Sequence, residues 1–262
     1  MGLFDKKYCD FCGRKIGLFG NKKLEDGNMC KDCASKLSPW FSERRHSTKE
    51  EIAAQLAYRE ANRAAVAAFR TTRSIGRYKK LLLDEDAWKF TVTAARDLGE
   101  ENPDILDFAQ ITGCDLDIEE SRHELKQTDK EGKSVSYDPP RYEYSYNFFV
   151  TIYVNHPYFD EMKYSLSNGY VKTGNYRMTA VTGGWHVRPA GTLAMPAVRD
   201  YYEYLNMGAE IRETVENIRM SCRQEAAAAA APKAAVTCPH CGASTIPDEK
   251  GCCEYCGSAL MN

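Results

Sequence analysis

Residues 8–13 read YCDFCG and residues 30–33 read CKDC, and these two motifs decide how the first part of the chain folds. Each Cys-x-x-Cys motif places two thiols on one tight turn, and two such turns supply the four ligands of a tetrahedral zinc site. The pattern recurs near the end of the chain. The sequence therefore predicts two structural zinc ions, with iron as the alternative metal because it also accepts four thiolates. The predicted ligands are Cys9, Cys12, Cys30, Cys33, Cys238, Cys241, Cys253 and Cys256.

Eleven cysteines in 262 residues would also suit a secreted, disulfide-linked protein. The N-terminal residues MGLFDKKYC lack the apolar run of a secretion signal, so we expect a cytoplasmic protein whose thiols stay reduced. No stretch approaches about 18 uninterrupted apolar residues, which argues against a transmembrane segment. Cys114 and Cys222 are expected to be buried free thiols, whereas Cys252 could compete with its neighbour Cys253 as a ligand.

The first module is predicted to span 1–43. Its LEDG segment, residues 24–27, carries the Asp-Gly signal of a tight hairpin. A treble-clef module has this order: a Cys-x-x-Cys turn, then a hairpin, then two ligands at the start of a short helix. A zinc ribbon with two equivalent turns is the alternative.

The run YCDFCGRKIGLFGNKKLEDGNMCKDCASKLSPWFSERRHST, residues 8–48, resembles an uncharacterised bacterial family with an N-terminal four-cysteine module. The shared features are the YCxxCG motif, the LEDG turn, the CxxC pair and the SPW and RRHST segments. The segments DLDIEESRHELK and RYEYSYNFFVTIYVNHPYFDEMKYSL also resemble the region that follows the module in that family. The resemblance implies zinc binding at the four N-terminal cysteines and implies no activity.

A basic helical arm is predicted over 44–77. Thr48 and Glu51 fit a capping box, and an alanine-rich helix follows over about 49–70. Residues 44–80 hold ten basic and three acidic side chains. On a continuous helix, one possible anion-binding face would carry Arg59, Arg63, Arg70, Arg73 and Arg77. The alternative is that these arginines pair with the protein's own acids, because residues 97–131 hold twelve acidic and three basic side chains.

A β-rich domain is predicted over 78–223. Alternating apolar residues predict strands around 88–92, 114–118 and 142–154, with a polar loop over 126–140 and short strands around 176–181. An amphipathic helix follows from about Pro196, and Gly208 on its apolar stripe would allow a close approach to its neighbour. Antiparallel strands followed by one C-terminal helix is the order of a pleckstrin-homology-like barrel.

The chain ends with an alanine-rich linker over 224–236 and a short zinc ribbon over 237–262. The predicted fold class is therefore α+β multidomain: a zinc module, a helical arm, a β-barrel closed by a helix, and a zinc ribbon. Both predicted metal sites have four protein thiolates, so neither leaves a position for a catalytic water. The five histidines lie in no nucleophile or hydrolase motif.

These patterns favour a non-enzymatic, zinc-binding adaptor protein of the cytoplasm that recognises a protein or peptide. The alternative is nucleic-acid binding through the first zinc module and the arginine-rich helix, because phosphate groups pair with clustered arginines. The same basic face could instead attach to an anionic membrane surface.

Overall fold

The computed structural model describes residues 7–178, 196–230, 235–248 and 250–260. The chain divides into two compact units, Met1–Arg219 and Met220–Asn262. The short strands predicted around 176–181 lie largely outside the described residues, since only 176–178 of that stretch are described and they are not strand. Among the described residues, no helix is both long enough and apolar enough to cross a membrane.

The first unit begins with a small hairpin of β1 (Lys22–Lys23) and β2 (Asn28–Met29), followed by helix α1 (Lys31–Ala34). The predicted turn joins the two strands, and the Leu24 amide donates across it to the Gly27 carbonyl oxygen at 2.9 Å. A short 3-10 turn, Glu43–His46, completes the module. Its buried core combines cysteines with aliphatic side chains, which include Ile16, Leu24, Met29, Leu37 and Ile52.

Helix α2 (Lys49–Ala68) begins where the sequence predicts. The Thr48 hydroxyl accepts from the Glu51 amide, and the Glu51 carboxylate accepts from the Thr48 amide at 2.8 Å. This capping box satisfies two amides that the first helical turn would otherwise leave free. The helix contributes Ile52 to the core of the zinc module and Val66 to a second apolar cluster. It is therefore a packed element between two cores rather than an exposed connection.

A first antiparallel sheet has the order β3 (Arg73–Ile75), β4 (Lys80–Asp84), β5 (Lys89–Thr93), β6 (Leu106–Asp107), with helix α3 (Leu98–Glu101) between the last two strands. Strands β4 and β5 form an antiparallel hairpin, and β5 overlaps the strand predicted around 88–92 and extends it by one residue. Trp88, the first apolar residue of the strand predicted around 88–92, instead precedes β5 with φ +56° and is exposed. Thr91 is fully buried, so β5 is covered on both faces.

A second antiparallel sheet is centred on a long hairpin of β7 (Ile111–Thr128) and β8 (Ser134–His156). The other edge of β8 pairs with two strands. Its residues 149–156 pair with β9 (Phe159–Ser165), and its residues 144–146 pair with β10 (Val171–Gly174). Apolar side chains of β8 form the core here, because Phe148, Val150 and Ile152 are fully buried. The alternation of the sequence predicted this face.

The predicted loop over 126–140 is wrong in extent. The strands continue to Thr128 and resume at Ser134, so residues 129–133 form the turn. The Asp129 amide donates to the Lys133 carbonyl oxygen at 2.9 Å and closes that turn. The polar side chains that suggested a loop lie on an exposed two-stranded ribbon, where neither face needs to be apolar.

Helix α4 (Pro196–Ala230) packs its apolar stripe on the second sheet. The Tyr201 ring lies edge-on to Tyr146 and Phe148, with centroids 4.8 and 5.1 Å away. Ile211 and Val215, further along the stripe, are fully buried. The predicted pleckstrin-homology-like barrel is not confirmed: across the described residues, the strands form open sheets, and none of the described strand pairings closes either sheet.

Replacing Gly208 by leucine is expected to destabilise the protein by about 1–3 kcal/mol, the usual cost of overpacking. A Cβ at Gly208 would lie 2.5 Å from Leu116 Cδ1 on β7, so the helix approaches the sheet closely only without a side chain there. Urea unfolding measures the change. Asn206→Leu, on the exposed face of α4, is the control and should change stability by less than about 0.5 kcal/mol. Equal losses in both variants would contradict this role of Gly208.

The second unit ends in a small four-cysteine module. Strands β11 (Val236–Thr237) and β12 (Ser244–Thr245) form a two-stranded sheet. A bridge between Cys252 and Ala259 holds the second cysteine turn of this module.

Candidate metal centres and neighbouring surfaces

Cys9 and Cys12 lie on a turn that backbone hydrogen bonds hold in shape. The Gly13 amide donates to the Cys9 carbonyl oxygen at 2.8 Å, and the Cys9 amide donates to the Arg14 carbonyl oxygen at 2.9 Å. Gly13 has φ +69°, which glycine adopts without the strain of a side chain. The turn therefore orients both thiols through backbone bonds and one glycine.

The thiols of Cys30 and Cys33 lie beside those of Cys9 and Cys12, and both residues belong to the start of α1. Cys30 is the N-cap residue, and its Sγ accepts from the Cys33 amide at 3.4 Å. The Cys30 amide in turn donates to Cys9 Sγ at 3.3 Å. The order of turn, hairpin and helix-borne ligands is the one expected from the sequence, and N–H···S bonds connect the two ligand pairs.

The spacing of the sulfur atoms fits a shared metal ion. All four Sγ atoms of the N-terminal group lie within 4.8 Å of one another, and those of Cys12 and Cys30 are 3.7 Å apart. A tetrahedron with Zn–S bonds of about 2.3 Å has sulfur–sulfur edges of about 3.8 Å. A disulfide bond is far shorter, about 2.05 Å. The geometry is thus that of four thiolate ligands around one zinc-sized ion.

Arg14 lies at the exposed edge of this sulfur group. Its Nε donates to Cys12 Sγ at 3.4 Å, and its Nη1 pairs with the Asp32 carboxylate at 2.8 Å. The hydrogen bond from Arg14 lowers the pKa of Cys12 to about 6, whereas burial raises the pKa of the Cys33 thiol. The Arg14 guanidinium thus favours the thiolate form of Cys12, and a bound metal cation would favour the thiolate form of all four cysteines.

The second site is built from two equivalent turns. Gly242 and Gly257 follow the second cysteine of each turn, have φ +72° and +70°, and donate back across it at 2.8 Å. Sulfur–sulfur distances between the two turns are 3.6 and 3.7 Å, again close to tetrahedral edges. The ligand set is the predicted one, Cys238, Cys241, Cys253 and Cys256.

Neither the extra cysteine nor the histidine of this module joins the site. Cys252 and His240 lie outside the ligand group, and Cys252 Sγ contacts the Lys250 carbonyl oxygen at 3.8 Å. Four sulfur ligands complete a tetrahedral shell without water, so both groups suit a structural metal ion. Cys114 is buried on β7, and burial raises the pKa of its thiol to about 12, as expected for an unreactive core cysteine.

The five arginines predicted to share an anion-binding face do not share one, because α2 ends at Ala68. Arg63 remains on the helix surface and pairs with Glu60 at 3.1 Å. Arg73 lies on β3 and pairs with Glu210 of α4 at 3.0 Å. The remaining members are Arg77, which pairs with Glu203 at 2.6 Å, Arg70, which is exposed, and Arg59, which is buried.

Arg59 is the centre of a buried polar cluster. Its side chain is 7% exposed and pairs at 2.7 Å with Asp104, which is 0% exposed. The guanidinium also donates to the carbonyl oxygens of Asn102 and Lys36, and the Ser38 hydroxyl donates to Asp104 at 2.8 Å. For this arginine the alternative of pairing with the 97–131 acids is confirmed. The cluster connects the zinc module, α2 and the segment after α3.

A groove of about 530 Å³ opens between the segment after α1 and the β8–β9 turn. Its aromatic lining comes from Trp40, Tyr158 and Phe159, and its carboxylates from Glu43, Asp160 and Glu161. The sequence offered no signal for it, because its two sides are more than one hundred residues apart in the chain.

Several side chains in and beside the groove contact aromatic rings. His156 stacks on Phe159 with ring centroids 4.2 Å apart, and burial lowers the pKa of its imidazole. A neutral His156 carries no positive charge near pH 7, so it does not offset the negative charge of the groove's carboxylates. Lys163, the groove's own lysine, lies 5.1 Å from the Phe149 ring centroid. The Lys79 ammonium lies 5.1 Å from the Trp40 ring centroid, so one face of this indole already contacts a cation.

Residues 7–55 match the family described as "Domain of unknown function (DUF4428)". The match covers the N-terminal four-cysteine module and the start of α2, and the four cysteines of that module form a group that could hold a metal ion. No curated protein and no solved structure matches the chain. The chain is therefore similar to this family over its first module, and the remainder is understood from its own geometry.

Proposed function

We propose that this protein is a non-enzymatic adaptor of the cytoplasm, braced by two structural zinc ions, that binds a protein or peptide partner. The observation that carries the proposal is the groove that Trp40, Tyr158 and Phe159 line beside three carboxylates. Aromatic walls with a few convergent charged groups are typical of recognition sites. The closed four-sulfur shells support a structural role for the metals rather than catalysis.

The groove favours a partner that carries a basic side chain next to an apolar one. Glu43, Asp160 and Glu161 present three negative charges, and Lys163 is the one lysine among the residues that line the groove. A guanidinium or ammonium group would gain ion pairing with these carboxylates. An apolar neighbour would cover Tyr158 and Phe159.

Peptide binding should depend on one acidic residue of the groove. On an array of peptides in which arginine, lysine or glutamate flanks a leucine, the full-length protein should select the basic sequences. Glu161→Lys should weaken binding by about tenfold or more, because it reverses a charge that faces the ligand. Glu131→Lys, an exposed acid on the β7–β8 turn, is the matched control and should bind as the unmodified protein does. Selection of acidic peptides, or equal binding by both variants, would contradict the proposed groove.

Nucleic-acid binding is the alternative, through the first zinc module and exposed arginines. Two observations weaken it: Arg59 is buried, and Arg73 and Arg77 pair with acids of α4. Charge reversal of Arg63 and Arg70 should leave peptide binding unchanged, whereas it should abolish binding to duplex DNA or RNA if the alternative holds. Phosphate contacts would also weaken steeply as salt rises.

A further inference from the structure

Two large apolar side chains stand at the tip of the loop that connects the first cysteine turn to β1. Leu18 is 80% exposed and Phe19 is 86% exposed. They are the two central residues of a turn in which the Gly20 amide donates to the Gly17 carbonyl oxygen at 3.0 Å. Neither side chain takes part in the metal site, the buried polar cluster or the groove. Folding of the module therefore gives no reason for apolar residues at this position.

The residue directly before the loop is packed into the core of the module. Ile16, directly before it, is 7% exposed and belongs to the core that also contains Cys9 and Cys33. The Ile16 amide donates to the Lys7 carbonyl oxygen at 2.8 Å, which connects the base of the loop to the segment that precedes Cys9. The apolar tip is thus presented by a turn whose base is packed into the core of the module.

The tip belongs to a basic segment of the chain. Residues 7–23 contain five basic side chains and one acidic side chain, Asp10, whose carboxylate accepts from the Asn28 amide at 2.6 Å. Arg14 is engaged by Cys12 and Asp32. The other four basic residues form no ion pair within the described ranges, and they are Lys7, Lys15, Lys22 and Lys23. A bound zinc with four thiolates would carry −2, which leaves the segment with a positive balance.

We propose that this loop inserts Leu18 and Phe19 into the interfacial region of an anionic phospholipid membrane, while the four lysines bind the headgroups. An apolar tip that enters the acyl boundary, together with cations that reach the headgroups, is the combination that gives stable peripheral attachment. The tip is convex and small, whereas a protein interface usually buries about 800 Å² on each partner. Charge and shape therefore favour a lipid surface over a protein pocket.

Membrane attachment goes beyond the proposed peptide groove, because it uses a separate surface and a partner of different chemistry. The two are distinguishable: variants at Leu18 and Phe19 leave Trp40 and Glu161 untouched. An adaptor with both properties would hold its peptide partner at the membrane.

Vesicle sedimentation of the full-length, metal-loaded protein tests the proposal. Binding is expected with vesicles of phosphatidylcholine and phosphatidylglycerol and should be much weaker with phosphatidylcholine alone. The double variant L18A/F19A should bind about tenfold or more weakly, because it removes the inserted apolar surface. Charge reversal by K22E/K23E should also weaken binding, and added salt should mimic it. Tyr170→Ala is the matched control, since Tyr170 is 60% exposed and lies away from the loop in sequence; it should bind as the unmodified protein does.

A fluorescence measurement distinguishes insertion of the loop tip into the membrane from electrostatic attraction to its surface. The indole of Phe19→Trp should shift its emission to the blue when anionic vesicles are added, because it leaves water. Undiminished sedimentation of L18A/F19A, or no emission shift, would overturn the proposal. Absence of vesicle binding together with a self-association that L18A/F19A abolishes would assign the tip to a protein contact and overturn it equally.

Discussion

Replacing Cys30 by serine is expected to reduce the bound metal from two ions per chain to one and to unfold the N-terminal module. Cys30 supplies a ligand, caps α1 and donates its amide to Cys9 Sγ. In small zinc modules the free energy of metal binding, about 10–16 kcal/mol, is largely the free energy of folding. Loss of one ligand should therefore remove far more stability than a typical core substitution. Elemental analysis measures the metal content and its identity, and thermal unfolding measures the stability.

Cys252→Ser is the matched control for this experiment. Cys252 neighbours a ligand in sequence, but its Sγ is not part of the second sulfur group. The variant should retain two ions and an unchanged unfolding profile. Retention of two ions by Cys30→Ser, or zinc and iron both absent from protein purified under reducing conditions, would contradict the assignment of these sites.

Replacing Asp104 by alanine is expected to destabilise the first unit by about 3–5 kcal/mol, because it leaves the buried Arg59 charge without its partner. Asp104 accepts from Arg59 at 2.7 Å, from the Ser38 hydroxyl at 2.8 Å and from the Tyr58 hydroxyl at 3.3 Å. All three donors would lose an acceptor, and two of them, Arg59 and Ser38, are buried. Urea or guanidinium unfolding measures the loss.

Glu60→Ala is the surface counterpart of this change. The Arg63–Glu60 pair has a similar separation, 3.1 Å, but both side chains are more than half exposed. Water and salt screen it, so its removal should cost less than about 0.5 kcal/mol. The double variant Arg59→Met/Asp104→Leu should recover most of the stability lost in Asp104→Ala, since it removes the uncompensated charge. A loss of less than about 1 kcal/mol in Asp104→Ala would show that the cluster does not hold the unit together.

Several local features could be read from the sequence because their causes are local. The Cys-x-x-Cys spacing with a following glycine defines its own turn, and the structure brings the predicted ligands into two groups. The capping box at Thr48 and Glu51 and the hairpin around Gly27 involve residues no more than seven positions apart. The alternation along β8 exposes or buries side chains by strand geometry alone.

The course of α2 shows what local patterns could not reveal. Its buried face carries three polar residues, so a search for apolar periodicity misses it. The buried residues follow at helical spacing and are Ile52, Gln55, Arg59, Asn62 and Val66. Arg59 counted as a possible phosphate ligand because its partner Asp104 lies forty-five positions away. A search for helical spacing that accepts polar as well as apolar residues would have identified this buried face of α2.

The sequence by itself determined the two sulfur sites, the start of α2 and the apolar face of the second sheet, because each depends on neighbours along the chain. The tertiary structure decided which arginines are available, where the groove opens and whether the strands close. Those properties depend on which distant residues meet: Asp104 neutralises Arg59, acids of α4 pair with Arg73 and Arg77, and the β8–β9 turn meets the segment around Trp40. A side chain's charge is readable from its type, but its partner and its exposure come from packing between segments that the linear pattern does not connect.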